Sequence, residues 1–175
     1  IISDDKLPKT LMESYFDATK INILYAGNLG IVQSLTTILK TAKKLREEGN
    51  QKIKFIFIGS GADEESLKVT AKKWNLDNVL FVPRVVSSEV TKYLNAADFL
   101  LVHLKKNELF KITIPSKILA YLKTGKPILM GLEGDAKDIL VNAQAGYTFE
   151  PDNSEDLEQQ IKKMMLLSNE QIEKM

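Results

Sequence analysis

The chain has 175 residues, with 24 lysines and arginines against 23 aspartates and glutamates, one histidine and no cysteine. The length allows one domain with a substantial core, and the balanced charge gives no indication of a nucleic acid or an anionic membrane as a partner. The missing cysteines exclude disulfides and thiolate zinc sites, and without a secretory segment or a long apolar run the composition favours a cytoplasmic protein.

The two ends of the chain differ from its centre. Residues 1–19 are polar without clear periodicity, which predicts an incoming linker or interdomain segment. We expect the main domain to occupy 20–168, and we interpret 169–175 as a C-terminal helix cut short. Because the chain opens on Ile1 and stops within a helical pattern, we expect it to be an excised piece of a longer polypeptide.

From residue 20 onward, short apolar runs alternate with segments of helical period, which is typical of βαβ units and a parallel sheet. Strands are predicted at 21–26, 55–58, 79–82, 99–102, 127–130 and 147–149. The predicted fold class is therefore α/β, with a Rossmann-like, doubly wound parallel sheet of about six strands.

Helices are predicted between these strands from apolar periodicity and from end signals. The first has Leu35, Ile38, Leu39, Ala42 and Leu45 on one face and stops at Gly49; the second is marked by Leu67, Ala71 and Trp74. Ser87 or Ser88 is expected to cap a helix that ends near Ala97. Asn153 or Ser154 is expected to cap the last long helix, with Leu157, Ile161, Met164 and Met165 facing inward.

Ligands of such a sheet bind in the loops at the carboxyl ends of the strands. These loops are 27–33, 59–63, 83–88, 103–117 and 131–135. The most informative is 103–117, because a helix that starts at Pro115-Ser116-Lys117 presents backbone N–H groups, a positive dipole end and an ammonium. Gly125 and Pro127 then end that helix. The sequence therefore predicts a phosphate site at this helix.

Other motifs leave alternatives open. Gly59-Ser60-Gly61 follows a strand, but Glu64 stands where a dinucleotide fingerprint needs its third glycine, so a plain tight turn is favoured over nicotinamide binding. The 27–30 segment fits a turn or a ligand loop equally well, and the lone His103 fits a structural or a functional role equally well. No P-loop, nucleophile elbow, Asp-x-Asp or His-Glu-x-x-His pattern is present, so the sequence requires no metal or cofactor.

Several motifs, taken in order, resemble the nucleotide-sugar-binding C-terminal domain of retaining group 1 glycosyltransferases (family 4, GT-B fold). They are Tyr25-Ala26-Gly27-Asn28-Leu29-Gly30, Gln33-Ser34-Leu35, Phe57-Ile58-Gly59-Ser60-Gly61, Asn78-Val79-Leu80-Phe81, Tyr93-Leu94-Asn95-Ala96-Ala97-Asp98, Pro115-Ser116-Lys117, Tyr121, Gly125-Lys126-Pro127-Ile128 and Ala145-Gly146. The similarity covers about 20–168 and is greatest to the branch that builds capsular and O-antigen polysaccharides, including N-acetyl-fucosamine transferases.

The resemblance implies a donor site, in which a nucleotide-sugar, expected to be a UDP-sugar, binds in a cleft facing a missing N-terminal acceptor domain. It assigns the diphosphate to Gly27, Asn28, Gly30, Gln33, Thr113, Ile114, Pro115, Ser116 and Lys117, the nucleoside to Gly59, Arg84, Val85 and Tyr121, and the sugar side to Glu133, Gly134 and Asp135. Lys117 is the candidate catalytic residue, because its ammonium would stabilise charge on the departing UDP without a metal.

The chain departs from the family pattern at Ala120, where a glutamate would hold the donor's ribose hydroxyls, and at Ile112, where an earlier acidic residue is expected; Glu108 lies nearby. One alternative is therefore a degenerate, non-catalytic module acting in complex assembly; a less favoured one is a nicotinamide-dependent oxidoreductase domain. For the active enzyme we expect a polysaccharide or a lipid-linked saccharide as the acceptor, a cytoplasmic location with peripheral attachment to the inner face of the membrane through the missing domain, and no turnover by this fragment alone.

Overall fold

Six strands form a single parallel sheet in the computed structural model, which describes residues 6–173. The strands are β1 (Ile21–Ala26), β2 (Ile53–Ile58), β3 (Val79–Val82), β4 (Phe99–His103), β5 (Ile128–Gly131) and β6 (Gly146–Thr148). Their order across the sheet is β3-β2-β1-β4-β5-β6, and every neighbouring pair is parallel. This confirms the predicted doubly wound α/β class, with the change of direction between β1 and β4.

Helices connect the strands. They are α1 (Lys9–Tyr15), α2 (Thr36–Glu47), α3 (Glu64–Lys73), α4 (Val90–Ala96), α5 (Lys117–Leu122), α6 (Asp135–Ala143), α7 (Ser154–Met164) and α8 (Asn169–Glu173), with single 3-10 turns at Ile31–Gln33 and Glu108–Phe110. The Asn153 cap is confirmed, since its side chain accepts from the N–H groups of Glu155 and Asp156 at 3.1 and 2.9 Å. The predicted serine cap of α4 is wrong, because Glu89 stands at that position and makes no side-chain cap bond.

Two apolar clusters cover the two faces of the sheet because successive strand residues point to opposite sides. Ile23 and Phe55 belong to the cluster under α2, α3 and α7, whereas Leu24 and Ile56 belong to the cluster under α4, α5 and α6. This arrangement explains the all-apolar run of β2. It also brings the carboxyl ends of the strands to one edge, where the loops considered below meet.

The segment predicted as an incoming linker contains structure. It forms helix α1, and Phe16 behind it is only 4% exposed, in the same cluster as Leu24. Leu7 and Tyr15 pack against the same cluster, but a helix of seven residues is too short to show a clear apolar period in sequence. The domain boundaries stay a prediction, and residues 1–5 and 174–175 of the two terminal segments lie outside the described residues.

An ion network joins α7 to α2. The side chain of Glu158 is 4% exposed, and its carboxylate bonds to Lys162 and, at 2.7 Å, to the Lys44 ammonium. Lys162 also contacts Glu48 at 2.6 Å. Burial opposes ionisation of Glu158, but the hydrogen bonds from Lys162 and Lys44 outweigh it, so the pKa of the carboxyl is lowered.

Replacing Glu158 with glutamine is expected to lower the free energy of unfolding by about 1–3 kcal/mol near neutral pH, because a buried charge-assisted acceptor is lost. Since the folded pKa lies below the ordinary 4.5, this stabilisation is present above that pH and is lost as the pH falls through the folded value. Urea unfolding near neutral pH and in acid measures both effects. Glu47→Gln, which breaks an exposed pair with Lys43, is the control. An equal loss for Glu158→Gln in acid would contradict this account.

Candidate functional site

A cleft of about 530 Å³ opens at the carboxyl ends of β1, β2 and β3. The start of α5 closes its other side. It is lined by Ala26, Gly27, Asn28, Ile58, Gly59, Ser60, Arg84, Val85, Ser87, Val90, Ser116, Lys117 and Ala120. Four of the five loops that the topology rule indicates therefore meet here, and only the loop 131–135 contributes nothing to the lining.

Glycine lets the loops after β1 and β2 approach each other. Gly59 has φ +149°, and a Cβ there would collide with the carbonyl oxygen of Gly27. A Cβ on Gly61 would meet the carbonyl of Leu29 in the same way. The Leu29 N–H donates to the Ser60 carbonyl at 2.9 Å, which ties the two loops together. Packing between the two loops thus accounts for both glycines without a ligand, as the tight-turn interpretation expects.

Lys117 extends from the start of α5 toward the end of β1. Its Nζ donates to the Tyr25 hydroxyl at 2.9 Å and lies 4.1 Å from the centre of that ring. Within the part of the chain that the structure describes, it forms no ion pair with a carboxylate. Burial therefore acts unopposed and lowers the pKa of the ammonium from 10.5 to about 8.

The cleft lining is electrostatically one-sided. Lys117 and Arg84 are its charged residues, and no aspartate or glutamate belongs to the lining that the structure describes. Hydroxyls of Ser60, Ser87 and Ser116 add hydrogen-bonding groups. Gly27 lies directly against the Lys117 ammonium, where a Cβ would clash with Nζ. A small cleft with unpaired cations and a bare backbone is suited to an anionic ligand.

Only part of the predicted diphosphate set lines this cleft. Gly27, Asn28, Ser116 and Lys117 belong to the lining, whereas Gly30, Gln33, Thr113, Ile114 and Pro115 do not. Gly30 is buried behind the Asn28 amide, which donates to the Gln33 side chain at 3.2 Å. The Thr113 hydroxyl donates to the Leu109 carbonyl at 3.1 Å.

The helix at the predicted phosphate site is shorter than the sequence indicates. It begins at Lys117 instead of Pro115, spans six residues, and Ser116 stands at its N-cap without a side-chain cap bond. The Ile118 N–H donates to the Pro115 carbonyl at 3.0 Å, so the chain enters through a tighter turn. Six residues give a weak macrodipole, and the Lys117 charge is the stronger contribution to anion binding.

Among the predicted nucleoside residues, Gly59, Arg84 and Val85 line the cleft and Tyr121 does not. Tyr121 is 1% exposed, and its hydroxyl accepts from the Ala26 N–H at 3.0 Å and donates to the Ala26 carbonyl at 3.1 Å. It fastens α5 to the end of β1. Tyr121 therefore affects the cleft only indirectly, by holding the backbone of Ala26, which lines it.

The predicted sugar-side residues lie beside a neighbouring loop. A Glu133 oxygen is 3.7 Å from the Lys111 ammonium, and the Asp135 N–H donates to the Lys111 carbonyl at 2.9 Å. Gly134 has φ +73° and packs so closely on Lys111 that a Cβ would clash with its backbone. None of these three residues belongs to the lining of the cleft that the structure describes.

His103 has a structural position at the end of β4. It is 1% exposed, its Nδ1 lies 2.8 Å from the Gln33 carbonyl, and its Nε2 accepts from the Asp152 N–H at 3.0 Å. The ring also stacks on Phe149. Burial lowers the pKa of His103, so the neutral ring with Nδ1–H donating to Gln33 fits both bonds.

Sequence reasoning missed several residues of the cleft. Ser60 and Ser87 stand in loops that it marked, but nothing in a single serine distinguishes a ligand group from a turn residue. Nothing in the sequence singles out Val90. Tyr25 belongs to a predicted strand and to the first of the resemblance motifs, but its contact with Lys117 spans 92 positions in sequence and leaves no local signal.

Between residues 6 and 173, no cluster of three or more histidines, aspartates and glutamates is arranged to hold a metal ion. In the same range, no helix has the length and apolar character that crossing a membrane requires.

Comparisons with known proteins agree with the fold. A family model for glycosyl transferases group 1 matches residues 10–175. The chain is 31% identical over 113 residues to the probable glycosyltransferase WbjE of Pseudomonas aeruginosa, covering 65% of this chain and 27% of that protein. It is 30% identical over 103 residues to the putative colanic acid biosynthesis glycosyl transferase WcaI of Escherichia coli, covering 59% and 24%. The matches span about a quarter of the length of these relatives.

Solved structures show the same architecture at low sequence identity. The Anabaena protein HepE in complex with UDP-glucose superposes with a TM-score of 0.77 at 14% identity, covering 97% of this chain and 46% of that one. The C-terminal domain of a glycosyl transferase group 1 family protein (LpcC) from Francisella tularensis gives 0.71 at 16% identity, covering 97% and 88%. At these identities the likeness establishes the fold.

Proposed function

The chain belongs to the group 1 glycosyltransferase family, and we propose that its cleft binds the nucleotide-sugar donor, a UDP-sugar, of a retaining sugar transfer. Its fold corresponds to the C-terminal domain of such enzymes. We propose further that the acceptor is a polysaccharide or a lipid-linked saccharide of the capsular or O-antigen type. The WcaI relative, named for colanic acid biosynthesis, supports this choice.

The observation that carries the proposal is the unpaired Lys117 ammonium in a cleft lined by cationic and hydroxyl groups. A diphosphate supplies the missing negative charge. Because Gly27 has no side chain, phosphate oxygens approach the Lys117 Nζ without obstruction. The complexes of HepE with UDP and with UDP-glucose support a uridine nucleotide as the ligand.

Lys117 would act on the leaving group. As the bond between sugar and diphosphate breaks, negative charge grows on the departing UDP, and a fixed ammonium stabilises this charge more than it stabilises the bound donor. The Ser60 and Ser116 hydroxyls border the same space and would add hydrogen bonds. Arg84 and Val85 would contact the uracil edge from the loop after β3. Retention follows when the acceptor attacks the face that the leaving group vacates.

Other predicted residues would support the site indirectly. Gln33 accepts from the Asn28 amide at the cleft, and the pair fits against Gly30 because a Cβ there would clash with both side chains. Glu133, Gly134 and Asp135 would face the sugar once the acceptor domain closes the cleft. The acceptor site and turnover belong to the longer protein, consistent with the partial coverage of the relatives.

A second candidate function is favoured by Ala120. This residue lines the cleft where the family pattern has a glutamate, and no other carboxylate replaces it in the described lining. Hydroxyl groups of a ribose would lack their acceptor, which costs about 1–3 kcal/mol for each unpaired contact. The alternative is therefore a degenerate module that assembles with another transferase without binding a donor.

Calorimetric titration of the 175-residue chain with UDP, GDP and NADH in EDTA tests the proposed function. We expect saturable binding of UDP, weaker binding of GDP and none of NADH. Absence of UDP binding up to millimolar concentration would favour the degenerate module. Tighter binding of NADH than of UDP would contradict the proposal.

Replacing Ala120 with glutamate is expected to create a preference for UDP over 2′-deoxy-UDP. The parent chain should bind both nucleotides about equally, because its cleft offers no carboxylate to the ribose. The variant should favour UDP by about tenfold to a hundredfold, the contribution of one hydrogen bond to a charged group. Competitive titration measures the ratio of the two affinities. Ala120→Gln is the control, because it adds nearly the same side-chain volume without the negative charge. A parent chain that already rejects 2′-deoxy-UDP would contradict this prediction.

A further inference from the structure

Tyr25 connects the two sides of the cleft. It is the penultimate residue of β1, it is fully buried, and its ring packs between the Lys117 ammonium above and the Phe57 ring beside it. Phe57 in turn stacks on Phe81 with 5.2 Å between ring centres. Tyr25 is therefore held by a column of aromatic side chains from three neighbouring strands.

The Tyr25 hydroxyl has two partners with opposite roles. It accepts from the Lys117 ammonium at 2.9 Å and donates to the Asn28 carbonyl at 2.8 Å. A phenol has a single proton, so donation to Asn28 leaves only lone pairs to face Lys117. The direction of both bonds is thereby fixed. Movement of Lys117 away from the cleft would break its bond to the hydroxyl that also holds the loop after β1.

We propose that Tyr25 is a positioning residue of the proposed donor site, which sets the place of the Lys117 ammonium against the loop after β1. The inference rests on the proposed function. This role is distinct from core packing, because the ring of a phenylalanine would fill the same space as the ring of Tyr25. The hydroxyl is the part of the side chain that holds both the cation and the Asn28 carbonyl.

The charged and titratable groups around Lys117 come from three elements. Tyr25 faces Lys117 from β1, and Arg84 lines the same cleft from the loop after β3. Tyr121 lies on α5, the helix that also carries Lys117. Among residues 6–173 the Tyr25 hydroxyl is the one hydrogen-bond partner of the Lys117 Nζ. If the hydroxyl is removed, the buried ammonium keeps only its contact with the ring and loses a hydrogen bond that stabilises its charged form. The pKa of Lys117, already about 8, should therefore fall further.

Tyr25→Phe tests the inference, with Tyr93→Phe as the matched control. Tyr93 is another buried tyrosine, on α4, 6% exposed and outside the cleft lining. UDP affinity is measured for both variants at several pH values on either side of pH 8, together with the melting temperature. We expect Tyr25→Phe to bind UDP about three- to tenfold more weakly near neutral pH, and its alkaline loss of binding to move to lower pH. Tyr93→Phe should change neither quantity.

A second readout is independent of UDP. The pKa of Lys117 is measured by NMR of its side-chain carbon in the ligand-free chain, and it should be lower in Tyr25→Phe. A variant with unchanged affinity and unchanged Lys117 pKa would overturn the inference, even if its melting temperature fell. If the parent chain bound no UDP, the proposed function would fail, and the pKa of Lys117 alone would still decide whether Tyr25 holds the ammonium.

Discussion

Replacing Lys117 with methionine is expected to weaken UDP binding about tenfold to a hundredfold and, at the same time, to stabilise the fold. Affinity falls because the ammonium has no carboxylate partner among the described residues and is available to a phosphate. Methionine keeps the length of the side chain and its contact with the Tyr25 ring. Loss of binding therefore reports on the charge.

The stability gain follows from the lowered pKa. A shift from 10.5 to about 8 means that burial disfavours the charged form, and removing the charge should return about 1–3 kcal/mol near neutral pH. The unfolded chain keeps this proton up to about pH 10.5, whereas the folded chain releases it near pH 8. Between about pH 8 and pH 10.5 the free energy of unfolding of the parent therefore rises toward that of the variant. Above pH 10.5 the variant is no longer the more stable of the two.

Thermal unfolding across this pH range, combined with UDP titration, measures both parts of the prediction. Lys123→Met is the control, since Lys123 is an exposed lysine at the other end of the same helix. It should leave affinity and stability nearly unchanged. A destabilised Lys117→Met variant, or one with parental affinity for UDP, would contradict the assignment of Lys117.

Replacing Gly59 with alanine should cause the largest loss of stability, about 3 kcal/mol or more. The new Cβ would overlap the carbonyl oxygen of Gly27, which is backbone and cannot rotate away, and φ +149° is unfavourable for alanine. The loops after β1 and β2 must then separate. Because both line the cleft, UDP affinity should fall more than tenfold as well.

Gly49→Ala provides the comparison for this variant. Gly49 also has a positive φ, +78°, but a Cβ there would meet no atom within 4 Å. Its cost should be limited to backbone strain, about 1–2 kcal/mol, with no effect on UDP affinity. Urea unfolding and titration of both variants separate strain from the clash. Equal losses in the two variants would show that contact between the loops is unimportant.

The sheet was predictable from sequence because it is buried on both faces. Strand β3 has the predicted bounds, whereas β2 begins two residues before the predicted 55, at Ile53, since the polar Lys54 interrupts the apolar pattern. Strand β4 continues to His103 because bonds from that ring to Gln33 and Asp152 permit a polar residue there. Such compensation by distant residues leaves no local signal.

The candidate site was predictable to a similar degree. The topology rule located the loops, and local sequence alone singled out Lys117, which the structure places in the lining of the cleft. The position of Tyr121 was not predictable, because its hydroxyl bonds to Ala26, 95 residues away. Likewise, the start of α5 at Lys117 instead of Pro115 depends on a turn that the proline signal does not distinguish from a helix. Residues that support other residues are thus harder to find than residues with a free charge.

A crystal structure of this chain with UDP bound would show where the diphosphate lies. We expect its oxygens within hydrogen-bond distance of the Lys117 Nζ, over the bare backbone of Gly27, with the uracil beside Arg84 and Val85. UDP bound elsewhere on the chain, or in the cleft with its diphosphate away from Lys117, would contradict this expectation.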